Sequence, residues 1–82
     1  MRNLPPAPPA WSAHRRFDGE GRGCGELLLA LRLDQAPLPP GTPTVVIADD
    51  EGAPIEMPAW CRLTGHRLLG AAHPHYLIER RP

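Results

Sequence analysis

The sequence predicts an α+β fold: a two-layer sandwich of order β-α-β-α-β-β, with two helices packed on one face of a four-stranded mixed sheet. Three observations carry this. Thr44-Val45-Val46-Ile47-Ala48 is β-branched and continuous, without polar alternation, which makes it a central strand. Leucines recur at helical spacing before it, and a second amphipathic stretch follows it. Glycine and proline clusters punctuate the chain between these segments. With 82 residues, there is room for one small domain with a marginal core. A large ligand cavity is not expected, and chemistry belongs at the surface.

Taken in order, Leu4 to Ala10 alternates prolines with small residues, a composition that favours extended polyproline conformation. Residues 1–12 therefore read as a disordered Pro-rich tail, with a ligand for a proline-recognition domain as the rival reading, and residues 13–82 as the domain. Arg15-Arg16-Phe17-Asp18 is a short strand ending in a glycine-rich turn. From Gly25 to about Ala36, Leu27, Leu28 and Leu31 share one helical face, with Arg32 and Asp34 turned to water, until Pro37, Pro39, Pro40 and Gly41 stop the helix. The second helix runs near Ala53 to Leu63, with Ala59, Trp60 and Leu63 as its apolar face and Gly65 as its terminator. Pro54 suits its first turn. Pro58 either delays the regular helix to about Met57 or kinks its start. Asp49, Asp50 and Glu51 read as turn and helix-start residues rather than a catalytic pair. Arg67 to Ala71 and Tyr76 to Arg80 are the closing strands.

Composition excludes several functions. The formal net charge is +0 and the pI about 6.9, without the basic footprint that gripping nucleic acid requires, so nucleic acid is not expected as a direct partner. All basic residues are Arg, which rules out Schiff-base chemistry. The first residues lack the apolar core of a signal peptide, and no stretch is long enough to cross a bilayer; a cytoplasmic, monomeric protein without a membrane partner is the expectation.

The residue of greatest chemical interest is Cys24, in Gly21-Arg22-Gly23-Cys24-Gly25-Glu26 at the start of the first helix. Unpaired N–H groups and the partial positive charge of a helix N-terminus favour thiolate over thiol, so a nucleophile is the reading to set against a small residue in a turn. Arg22 would favour the thiolate and Glu26 oppose it. Cys61, within the second helix beside Trp60, reads as a buried structural thiol, with a secondary sulfur-handling role as the alternative. Cys24 and Cys61 form neither a C-x-x-C pair nor a disulfide framework. His66, His73 and His75 with the two cysteines lack zinc-ligand spacing, so no metal is expected.

From Phe17 to Arg81 the chain resembles the TusA/SirA/YeeD family of sulfur-carrier proteins. The resemblance rests on the cysteine opening the first helix, the Pro40-Gly41 turn and the strand ending Ile47-Ala48-Asp49-Asp50. Met57-Pro58-Ala59-Trp60-Cys61, His66 and the terminal Tyr76-Leu77-Ile78 complete it. It implies a carrier whose Cys24 accepts sulfane sulfur as a persulfide and relays it, without a cofactor. The donor would be a protein such as a cysteine desulfurase or rhodanese, and the acceptor a protein serving tRNA thiolation, sulfur oxidation or cofactor assembly. The family's Cys-Pro-x-Pro motif is altered here to Cys24-Gly25-Glu26-Leu27, which should loosen the turn holding the thiol. Two other readings stand beside the carrier: a protein-binding or regulatory module keeping the fold without the chemistry, and a redox-sensing thiol protein.

Overall fold

A computed structural model of the chain describes residues 5–11 and 15–82. The elements are β1 (Arg15–Asp18), α1 (Cys24–Gln35), β2 (Pro43–Ile47), α2 (Ala53–Thr64), β3 (Arg67–Ala72) and β4 (His75–Glu79). One sheet of order β1-β2-β4-β3 results, with β1 parallel to β2 and the other pairings antiparallel. This is the four-stranded mixed sheet with two helices that the sequence predicts, and β2 lies inside it. The α1 crossover makes β1 and β2 parallel. The loops that follow these two strands therefore emerge at the same end of the sheet, where both helices begin.

The core sits between the helices and one sheet face. Leu27 and Leu31 of α1, Met57 of α2, Val46 of β2 and Ile78 of β4 are fully buried. Each such side chain contributes about 1.5–3 kcal/mol through apolar burial. Ala53, Met57, Trp60 and Cys61 form the inner face of α2, while Leu63, expected there, is 87 % exposed. Pro58 neither delays α2 nor ends it: the helix is continuous from Ala53. The hydrogen bond that Pro58 cannot donate would have gone to the carbonyl of Pro54, an exposed residue in the first turn, where solvent can take its place. Asp34 does not face water either. It accepts two hydrogen bonds of 2.6 Å from Arg15 at the start of β1, a bidentate pair that ties α1 to the sheet edge.

The far ends of the helices are closed by residues after β4. Gly65 caps α2 with φ of 82°, a left-handed conformation that favours glycine, and its N–H reaches the carbonyl of Cys61 at 2.9 Å. Arg80 Nε donates to the carbonyl of Gln35 at 2.9 Å, and Arg81 donates to the carbonyl of Thr64 at 3.1 Å. Each cation thereby satisfies carbonyls at the negative end of a helix.

The second sheet face is not bare. In the segment expected to be a tail, Pro5 to Pro9 and Trp11 line a groove together with Arg16, Val45, Ile47 and His75. Trp11 lies so close over Gly70 of β3 that a Cβ there would fall 2.7 Å from its ring. Val45, which is outside the core cluster, is only 3 % exposed, and His75 4 %. Among the described residues, no helix is long and apolar enough to cross a membrane.

Charge is segregated along the strand axis. Asp18, Glu20, Glu26, Asp49, Asp50, Glu51 and Glu56, seven of nine acidic residues, lie at the end where the helices begin. Arg15, Arg32, Arg62, Arg67, Arg80 and Arg81, six of nine basic residues, lie at the other.

Candidate functional site

Cys24 is the first residue of α1. Gly23 is the N-cap in extended conformation (φ −68°, ψ 163°), without a side chain to cap the turn, and its carbonyl accepts the first helical hydrogen bond, from Leu27 N–H, at 2.9 Å. The first-turn amide groups are consequently left for other partners. The thiol itself is partly exposed.

The side chain that meets this thiol comes from the other parallel loop. Cys24 Sγ donates a hydrogen bond to Asp50 Oδ2 at 3.1 Å, and the same oxygen accepts the N–H of Gly52 at 2.9 Å. Asp50 therefore does close a turn at the start of α2, as expected, but it also holds the cysteine. Of the two adjacent carboxylates expected to serve the turn, the one that meets the sulfur is Asp50.

Asp50 reverses the electrostatics expected at this position. Burial first, then the hydrogen bond to Asp50 and the charges of Asp50 and Glu56, push the Cys24 thiol up to about 11. At pH 7 roughly one molecule in ten thousand then carries the thiolate. The field of the helix end is outweighed because burial disfavours the thiolate and the contact to a carboxylate adds to it. Conversely, the Cys24 thiol and the Gly52 N–H hold the Asp50 carboxyl below its usual range, with the charge of His73 acting the same way.

Of the residues expected around the thiol, Gly23 and Gly25 flank it as the cap and second helical residue. Arg22 is turned back to the carbonyl of Gly19 at 3.4 Å, and the charge that adds to Asp50's at the sulfur is that of Glu56 rather than Glu26, which is exposed in the first turn. Cys61 is buried in the core, its thiol pushed up to about 11 by that burial. The β3–β4 turn supplies what sequence reasoning missed. His73 Nδ1 lies 2.6 Å from the Tyr76 hydroxyl, and burial raises the Tyr76 phenol, with the charge of Cys24 a second cause. His66 is at the opposite end of the molecule, and His75 is on the other sheet face. Among the described residues no group of three His, Cys, Asp or Glu side chains could hold a metal ion. The arrangement thus offers one partly exposed thiol, a carboxylate to receive its proton, and a His–Tyr pair nearby. No protein-family model matches the chain.

Proposed function

We propose that this protein is a sulfur carrier, in which Cys24 accepts sulfane sulfur from a donor persulfide and passes it to an acceptor thiol on a partner protein. The observation that carries the reading is the Cys24–Asp50 contact at the open end of the helix pair, and the resemblance to the TusA/SirA/YeeD family supports it. In the first step the thiol proton moves towards Asp50 as Cys24 sulfur attacks the outer sulfur of the donor's persulfide. A new S–S bond forms on Cys24, the donor's S–S bond breaks, and the donor's cysteine leaves as thiolate and takes up the proton. In the second step an acceptor thiolate attacks the outer sulfur of the Cys24 persulfide, and Cys24 leaves as the thiolate and is reprotonated. Sulfur moves at the same oxidation level in both steps, so no oxidant is consumed. A domain this small supplies an exposed sulfur and a docking surface rather than an enclosing pocket.

The resting protonation of Cys24 favours a second reading, a protein-binding module that keeps the fold without the transfer. It disfavours a peroxide-sensing role, because oxidation follows thiolate character. Incubation with a cysteine desulfurase and cysteine, followed by mass spectrometry, separates them. The carrier gains about 32 Da on Cys24, Cys24→Ser loses this label, and Cys61→Ser keeps most of it. Labelling confined to Cys61 removes the assignment at Cys24. No label at either thiol with desulfurase or rhodanese donors moves the conclusion to the binding module.

A further inference from the structure

At the opposite end of the molecule from Cys24, where both helices finish, lies an open cavity of about 570 Å³. It is about 17 Å away along α1, eleven residues at the helical rise of ~1.5 Å. Its polar lining is chemically one-sided. Arg32, Arg80 and Arg81 border it with His66, and no carboxylate does. The two acidic side chains at this end are engaged elsewhere, Asp34 with Arg15 and Glu79 with Arg67 at 3.6 Å.

The cations are also held in place. Arg80 Nε and Nη2 are pinned to the carbonyls of Gln35 and Ala36, and Arg81 Nη1 to that of Thr64, helix-end carbonyls whose partial charge of about half a unit offsets only part of each guanidinium's. His66 adds a neutral donor. Its Nδ1 accepts the backbone N–H of Arg81 at 3.0 Å, so the ring proton sits on Nε2, and burial together with the charges of Arg80 and Arg81 lowers the imidazole's tendency to protonate. Thr64 supplies no competing donor into the cavity, because its hydroxyl donates to the carbonyl of Trp60 at 2.8 Å. The remaining wall is apolar, formed by Trp60 and the exposed Leu63.

We propose that this cavity binds a small organic phosphate ester. The phosphate sits among the three guanidinium groups with His66 Nε2–H as a further donor, and the organic body lies against Trp60 and Leu63. Three guanidiniums, those of Arg80 and Arg81 held by their carbonyl contacts, offer more donors than the two oxygens of one carboxylate can accept, and planar N–H forks match phosphate oxygens. The volume lies within the range of small-molecule sites and exceeds what a bare anion fills.

The test is an NMR titration of the full chain, following the Trp60 indole, Thr64 and His66 signals, with phenyl phosphate as probe. Saturable shifts confined to this end are expected, weakened about tenfold by Arg32→Gln, the loss of one charge-assisted contact at an exposed residue that the fold does not need. Inorganic phosphate should bind at least several-fold more weakly than the ester, and phenol should not saturate. The proposal is overturned by an absence of saturable shifts up to about 10 mM, by equal binding of phenol, or by an unchanged affinity in Arg32→Gln. Equal affinity for inorganic phosphate overturns the organic part of the assignment. Tighter saturation by a hexaglutamate peptide overturns the small-molecule assignment in favour of an acidic protein partner.

Discussion

At the scale of single residues, Asp50 adds to burial in keeping Cys24 protonated. It raises the thiol both as hydrogen-bond acceptor and as a charge, whereas the burial that also raises it comes from the packing around the sulfur. Asp50→Asn keeps a side-chain oxygen near the sulfur and removes the charge, so the Cys24 pKa is expected to fall from about 11 towards the ordinary range. A fall of one unit gives ten times more thiolate below the pKa. A less basic thiolate is intrinsically slower by about threefold, so alkylation by iodoacetamide at pH 7 should quicken about threefold per unit. A pH–rate profile for wild type and variant checks this, and an unchanged profile would show that burial alone sets the value. Cys24 was legible in the sequence because a cysteine between glycines before a leucine run marks a helix start. Its partner was not, because Asp50 lies 26 residues away and meets the sulfur only through the parallel pairing of β1 and β2. The same holds for His73 and Tyr76, which a hairpin turn returns to this end.

Among the elements, α1 and α2 both follow a glycine N-cap, extended at Gly23 and helical at Gly52, and both leave their second residue free for proline. Each helix begins on a residue facing the core end of the sheet, Cys24 and Ala53, and the residue that follows is Gly25 in one and Pro54 in the other. Position 25 is the second residue of a helix, where proline stands in α2, and a Cβ there meets nothing within 4 Å. Gly25→Pro should stabilise the fold by about 0.4–1 kcal/mol, read from urea unfolding, because it restricts the unfolded chain without removing a helical hydrogen bond. A loss of stability would mean that the first turn of α1 departs from that of α2. Element order and type were legible from β-branched runs, leucine spacing and turn residues. The inner face of α2 was harder to read. Ala53, Met57, Trp60 and Cys61 are spaced by four, three and one, and Pro58 obscured the first of these by making a later helix start look natural. Asp34 escaped for another reason: an acidic residue beside Arg32 looks solvated until the first residue of β1 is placed next to it.

For the molecule as a whole, the Pro-rich segment lies along the second face of the sheet, with Trp11 against Gly70. Removing residues 1–11 uncovers Val45, Ile47 and His75, and a lower melting temperature is expected, by several degrees if about 1 kcal/mol of apolar burial is lost. The difference should depend on pH. Burial, and secondarily Arg16, holds His75 below its ordinary pKa in the folded chain. A depressed imidazole stabilises fully above the unfolded value near 6.5, and that contribution is lost as pH falls through the folded pKa. The advantage of the full chain over the shortened one should therefore be largest at neutral pH and shrink below about 6.5. Equal melting temperatures at all pH values would show that the segment contributes nothing to the sheet it covers.

The segregated charges have one more effect at this scale. A neutral chain has no net attraction to pull a partner from a distance, but opposite poles give it a large dipole moment, so an approaching charged body exerts a torque before it exerts a pull. A cationic surface would turn the molecule Cys24 end first, and an anionic one would turn it away. Productive collisions at the sulfur are thereby filtered by orientation. A positively charged thiol reagent should accordingly react with Cys24 faster than its negatively charged analogue of equal intrinsic reactivity. The two rates should converge as added salt shortens the Debye length from about 10 Å at 0.1 M towards 3 Å at 1 M.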